Sequence, residues 1–425
     1  MGSSSLGRDP RLTARPPAEV STCLISGEYP PATGGVADYT AHLAHHLQRL
    51  GARVTVLTSE FNQPTTPADG GGELELRRVP GWGRRNLDQI VQTIRAIDAD
   101  VVHLQYQAAA YGMAATVNLL PLILRARGVR SRFVTTFHDL RVPYLFPKAG
   151  PLRRLAVHTL VGGSAGSIFT DPGDLARAHP HRAAAWIPMA PTLWPVGEPN
   201  RASGRAALGI GDDAEVIAHF GFMNASKGID TLLRAAERLH RAGRPVWVLF
   251  VGEERGASDK TNGAIAERVR DAASDLGIGD YIVKTGHATP GDVSTALAAT
   301  DLAVLPFVDG ASLRRSSLLA CFAHGLPVVT TEPRAVPRPP REHAVAPFED
   351  PAAFQIDDRV AALIRTGDDA ALARTIYRLL DEPSRAADLG RNGRALAERL
   401  CWPAVASATL EFYDRVRTGT PKGAA

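Results

Sequence analysis

The chain has 425 residues, 44% of them hydrophobic and 22% charged, with a formal net charge of +4. That length exceeds one ordinary core and points to two domains, and the composition is globular rather than disordered or fibrous. The mild positive charge is mostly Arg, with lysine only at Lys148, Lys227, Lys260, Lys284 and Lys422, and no basic run is interleaved with aromatics, which argues against nucleic-acid binding.

Cys23, Cys321 and Cys401 are too few and too far apart for a disulfide framework, so a reduced, cytoplasmic protein is expected. No run of 18 apolar residues occurs, and Met113 to Leu124 is short and holds Pro121, so no membrane-spanning segment is expected. Residues 1–19 lack an apolar signal core and read as a disordered tail; residues 418–425 read as a second tail.

The first strand is "VSTCLISGEYP", followed by the glycine loop "PATGG" and a helix with Val36, Tyr39, Leu43, Leu47 and Leu50 on one face. Gly51 stops that helix and "RVTVLTS" is the next strand. Strand, glycine loop, helix and strand make the repeating unit of a parallel sheet. Further strands follow at Val101–Gln105, at Phe133–Phe137, and in "GSIFTD" and "AAWIPM". The Pro-rich segment from Pro188 to Asn200 is the linker candidate. The pattern then restarts with the strand of "EVIAHFGFMNASKG" and the helix "IDTLLRAAERLHRAG". Next come "VWVLFVG", a helix over Asp259–Leu276, "YIVKTGH", a short helix opened by Pro290, and "DLAVLPF". Three helices close the chain, and the last carries an apolar stripe of Trp402, Val405, Leu410 and Tyr413. The fold class is therefore α/β, with two Rossmann-like doubly wound domains facing across a cleft. The ligand is expected at the carboxyl ends of their strands.

Three stretches carry chemistry. In "GEYPPATGGVADYT" two glycines at a helix mouth let backbone approach an anion, although a tight turn alone would also use them. The loop is neither GxGxxG nor a Walker loop, which disfavours a dinucleotide or ATP cradle. In "FGFMNASKGIDTLL" Lys227 sits between a strand and a helix, where an ammonium can offset a departing diphosphate. In "DGASLRRSSLLACFAHGLPVVTT" a loop opens onto a helix expected to start near Arg314. Cations are unfavourable at a helix N-terminus, so Arg314 and Arg315 point to an anion nearby, beside the hydroxyls of Ser316 and Ser317.

The ordered set "GGVADYT", "HFGFMNASKGIDTLLRAAERL", "LFVGE", "YIVKTGH", "DLAVLPF", "GLPVVTT" and the closing "LCWPAVASATLEFYDRV" resembles the retaining, nucleotide-sugar-dependent glycosyltransferases of family 4, which have the GT-B fold. The resemblance spans about residues 20 to 417. It implies an N-terminal acceptor domain over 20–190, a C-terminal donor domain over 191–400, and a helix over 401–417 returning to the N-terminal domain. It implies that Gly34 and Gly35 lie near the donor diphosphate and that His138 and Lys227 are catalytic. His103 would then stand near the acceptor or sugar, with simple packing as its other reading. Ser312, Leu313, Arg314 and Arg315 would join Lys227 in holding the donor. The sequence departs from the family where a cation precedes the lysine by five residues, which is Phe222 here. It departs again where two glutamates are expected, which are Ser312 and Ala320. One Arg of "SLRR" is expected to replace the missing cation, and Asp309 or Glu332 to take over a hydroxyl contact.

The reading is retaining transfer from a nucleoside-diphosphate sugar to a hydroxyl on a glycan, a lipid-linked sugar or a small molecule. It needs no metal and no cofactor beyond the donor co-substrate. Cytoplasmic placement is expected, with contact at the inner membrane surface left open. A nucleotide or glycan binder without transferase activity, and a nucleotide-sugar epimerase, are the alternatives.

Overall fold

In the computed structural model the described residues are 20–32, 34–60, 74–140, 150–252, 262–335 and 341–419. The expected tail at 1–19 lies outside them, as do residues 420–425 of the tail expected at 418–425; Thr418 instead ends the last helix and Gly419 caps it. The first sheet holds β1 (Ser21–Ser26), β2 (Arg53–Ser59), β3 (Glu75–Val79), β4 (Val101–Tyr106), β5 (Arg132–Phe137), β6 (Gly166–Phe169) and β7 (Ala183–Trp186). Its order is β3-β2-β1-β4-β5-β6-β7, and every pairing is parallel. The second sheet holds β8 (Glu215–Phe220), β9 (Val246–Val251), β10 (Ile282–Lys284), β11 (Leu302–Leu305), β12 (Val328–Thr331) and β13 (Ala362–Ile364). Its order is β10-β9-β8-β11-β12-β13, again parallel throughout.

Both sheets reverse strand order beside their first strand, so each has a switch point where ligand crevices form. Central strands such as β1, β4 and β12 are buried at every position, as expected when helices cover both faces. Strands β3 and β13 were not legible. The first alternates exposed and half-buried residues at a sheet edge, and the second is three residues long. Residues 187–200 carry no helix or strand.

The last helix, Trp402–Thr418, packs on the first, Gly35–Arg49. Its expected stripe is buried: Trp402, Val405, Leu410 and Tyr413 are each at most 5% exposed. Trp402 donates its indole N–H to the Pro191 carbonyl at 2.8 Å and meets Tyr39 edge-on at a 5.0 Å centroid distance. One side chain thus ties the chain's end, the segment after the first sheet and the helix after the glycine loop. Trp402→Ala should cost about 3–5 kcal/mol of stability, read as a lowered chemical-denaturation midpoint. Trp402→Phe should recover most of the packing but not the Pro191 bond.

Candidate active site

Lys227 ends a short 3-10 turn, Ala225–Lys227, which the Asn224 side chain caps by accepting from Ser226 N at 3.0 Å. Gly228 follows at φ +68, and a Cβ there would collide with the Pro306 carbonyl oxygen. Only glycine lets the turn press against the end of β11. Val308 N donates to Ser226 O at 3.0 Å and fixes this contact. The lysine side chain is consequently buried, 9% exposed, and its Nζ donates to Ser317 Oγ at 3.1 Å. Gly221, at φ +111, borders the same pair: a Cβ there would sit 3.4 Å from Ser317 Cβ and 3.5 Å from Nζ.

The helix after the loop begins at Ser316, with Arg315 as its N-cap residue. That corrects the expected start near Arg314: both arginines precede the first turn rather than occupy it. Both are also neutralised by the protein itself. Arg315 pairs with Asp309, and its guanidinium lies 4.7 Å from the Phe307 ring centroid, beside Lys227 Nζ at 5.1 Å from the same ring. Arg314 reaches across to the N-terminal domain, 3.3 Å from Asp174 and 3.6 Å from Asp139. Asp174 is fully buried and is also paired with Arg177. The inference that two cations at a helix mouth require an external anion therefore fails for Arg314, whose charge is spent between domains. Asp309 is likewise committed to Arg315, and Glu332 is exposed. Ser312 Oγ accepts from Arg314 N at 3.4 Å, and Leu313 is half-buried in the same loop.

Lys227 is electrostatically out of balance. Burial first, then the Arg315 charge, lowers its ammonium from 10.5 to about 7, against weaker opposing effects of Cys321 and Asp309. Neighbouring His219 is neutral, pushed down to about 3 by burial and by Lys227. An amine that is half charged at neutrality is one that an incoming anion would recharge.

On the opposite domain, Gly34 is the N-cap residue of the first helix and Gly35 its first residue. A Cβ on Gly34 would meet the Glu28 carboxylate at 2.5 Å. The glycine loop thus has an acid at its mouth, which suits a hydroxyl better than the phosphate expected there. His138, just past β5, is 8% exposed, and its Nε2–H donates to Gln105 Oε1 at 2.9 Å. Burial pushes it down to about 3, so the ring is neutral, and Nδ1 is left as the acceptor nitrogen. The edge of Tyr39 packs on it at 4.6 Å.

His103 takes the packing reading, not the sugar one. It is fully buried, with Nδ1 2.6 Å from Tyr413 Oη and Nε2 2.7 Å from Thr136 Oγ1. Gln105 Nε2 stands 3.3 Å from His103 Nε2, so a polar row runs from Tyr413 through His103 and Gln105 to His138. Gln105, Asp174 and Glu28 were missed from the sequence. A glutamine inside a buried strand was the available signal for the first; nothing local marked the other two. Among the described residues no group of three or more His, Cys, Asp or Glu could hold a metal, and no helix is long and apolar enough to cross a membrane.

Two facing parallel-sheet domains with a lysine cradle on one side define a GT-B architecture. Residues 34–186 match the family described as glycosyl transferase 4-like domain, and residues 214–382 match glycosyl transferases group 1. The chain is a GT-B glycosyltransferase of the family 4 type. It is 29% identical over 222 residues to the D-inositol 3-phosphate glycosyltransferase of Segniliparus rotundus, a match covering 52% of this chain and 44% of that one. The chain thus spans about half the length of the curated relatives it matches first. In structure it resembles sucrose-phosphate synthase from Thermosynechococcus elongatus (TM-score 0.71, 20% identity, 95% of this chain and 100% of that one). It also resembles Anabaena HepE in complex with UDP and glucose (TM-score 0.67, 14% identity, 94% and 99%).

Removing Arg314 should loosen the domains. Arg314→Ala leaves Asp174 buried with Arg177 alone, at a cost of about 1–3 kcal/mol, below the roughly 3–5 kcal/mol of a fully orphaned buried charge. Small-angle scattering of the ligand-free variant should show a larger radius of gyration, and Asp174→Asn combined with Arg314→Ala should cost less than the two singly.

Proposed function

We propose that this protein transfers a sugar from a nucleoside-diphosphate donor to an acceptor hydroxyl, with retention at the anomeric carbon. The observation that carries the reading is the Lys227–Ser317 contact at the mouth of the helix Ser316–Ala323, with a neutral His138 just past β5 in the other domain. A diphosphate seated there would meet an ammonium, a hydroxyl and the first free amides of a helix, in a low-dielectric setting. HepE, which shares the fold, is described with UDP in place, and this supports a nucleoside-diphosphate donor. Retention is supported by family type.

In this scheme the departing diphosphate gains its charge next to Lys227, where stabilisation lowers the barrier most. Neutral His138, oriented by Gln105, offers Nδ1 to a hydroxyl of the transferred sugar. Glu28, at the glycine-loop mouth, is placed to accept from a hydroxyl and offsets part of what Ser312 and Ala320 no longer provide. The acceptor hydroxyl approaches the same sugar face that the diphosphate leaves, so positioning contributes as well as charge.

Lys227→Met should lower kcat/KM for the donor at least 100-fold, roughly 2.7 kcal/mol. The sign of the pH dependence follows from the lowered ammonium. UDP favours the charged amine, so its affinity should weaken roughly tenfold as pH rises from 6 to 8.5, and this slope should vanish in Lys227→Met. Without ligand, the unfolded chain holds the proton more tightly between pH 7 and 10.5, so Lys227 makes the fold more stable as pH rises through that window. Titration calorimetry checks the affinity, and proton NMR of the newly formed glycoside checks the anomer. A flat UDP affinity across that range, or an inverted product, would contradict the proposal.

A further inference from the structure

The chain crosses between its two sheets twice, and the crossings meet. Residues 187–200 lead from the first sheet to the second, and the final helix, Trp402–Thr418, leads back. Trp402 donates to the Pro191 carbonyl at 2.8 Å, so both crossings touch at one indole. Two histidines one turn apart on the helix Gly35–Arg49 cover that indole. His42 stacks on it at a 5.0 Å centroid distance and a 13° interplanar angle, and His46 at 6.2 Å and 29°. His42 also donates to the Thr192 backbone carbonyl. His46 Nδ1–H donates to the His42 carbonyl at 2.8 Å, which leaves Nε2 as its lone-pair nitrogen.

A third histidine backs the other end of the first crossing. His324 Nδ1–H donates to the Ala320 carbonyl at 2.8 Å, so its Nε2 is the acceptor, 3.1 Å from Ser294 Oγ. That hydroxyl accepts from Val196 N at 3.1 Å. The crossing is thus fixed on the N-terminal domain at Thr192 and on the C-terminal domain at Val196, with an imidazole behind each contact.

All three rings are half-buried, and their surroundings disfavour positive charge. Burial first, then His46 and His45, lowers His42 from 6.5 against the opposing Thr192 bond. Burial, then His45 and Arg49, lowers His46 against its bond to the His42 backbone. Burial, then Arg394, lowers His324 against its bond to Ala320. Residues 191–193 and 402–405, which face the pair, carry no charged side chain. Asp38, one turn before His42, is itself pushed up to about 6 by burial. Near His324, Asp292 is committed to Thr289. Arg394 pairs with Glu398 and lies 5.6 Å from the ring centroid of Trp194. One histidinium over an indole is favourable, but two on the same ring one turn apart, with Arg49 beyond, repel each other. At Ser294 a protonated Nε2 becomes a second donor onto an oxygen that already accepts from Val196.

We propose that His42, His46 and His324 form a pH-sensitive clamp on the interdomain crossing: neutral imidazoles hold it, and their protonation releases it and lets the domains part reversibly. A base held below its ordinary value takes up protons on release, so the clamp is at full strength above pH 6.5 and weakens as pH falls below it. It acts on the ligand-free protein, whatever donor that protein uses.

The test is small-angle scattering with tryptophan fluorescence on the ligand-free full chain, from pH 7.5 to 5.5 at fixed ionic strength, a range above the ordinary carboxylate values. Protonated imidazole quenches indole, so the Trp402 emission, taken as wild type minus Trp402→Phe, should fall by about half with a midpoint below 6.5. The radius of gyration should rise over the same interval and recover on return to pH 7.5. His42→Gln keeps an N–H for Thr192 but does not titrate, and should remove most of the quenching. His42→Gln combined with His324→Gln should remove most of the expansion; if that double variant does not fold, each single variant should shrink it. Asp38→Asn and Lys227→Met should keep both changes. An unchanged radius in the wild type, expansion without quenching of Trp402, or undiminished expansion in the histidine variants would overturn the clamp. Loss of the transition in Asp38→Asn or Lys227→Met would assign it to that group and overturn the clamp as well.

Discussion

A lysine ammonium held out of water next to a second cation is the constraint around which this molecule is arranged. Lys227 is buried, Arg315 shares its aromatic floor at Phe307, and Asp309 pairs directly with the arginine. Such an arrangement costs free energy in the free protein. Two contacts hold it: Gly228 seats the turn against Pro306, and Ser317 takes the Nζ hydrogen bond. A strained charge in a cleft is the physical form of a preorganised electrostatic site.

The second domain is brought to bear on that charge by three devices of different kinds. Arg314 crosses to Asp174 and Asp139, Trp402 ties the final helix to Pro191 and Tyr39, and His103 locks Tyr413 under β4. The last has a chemical consequence, because the same polar row orients Gln105 and, through it, His138. The return of the chain to its first domain thus stabilises the fold and also fixes a tautomer at the cleft.

Much of the fold was legible in the sequence because fully buried parallel strands read as continuous apolar runs. Strands β1, β2, β4 and β5, the linker segment and the closing apolar stripe could be read from such runs and from proline spacing. Edge strands β3 and β13 escaped because one alternates and the other is short. The site was legible only where one residue carries the chemistry locally, as at Lys227. Reading Arg314 as an anion ligand failed because its partner, Asp174, is set by tertiary geometry. Asp174 is 140 residues away from Arg314, and no local pattern encodes such a pairing. His103 failed for a related reason: a histidine at a strand end can face a ligand or a neighbouring helix, and only the position of Tyr413 decides.

The account stands or falls on where a diphosphate sits. A crystal structure of the protein with UDP should place the β-phosphate within hydrogen-bonding distance of Lys227 Nζ, of Ser317 Oγ and of the first amides of the helix Ser316–Ala323, with Arg314 still on Asp174. UDP bound in the cleft with its phosphates turned away from Lys227 would contradict it.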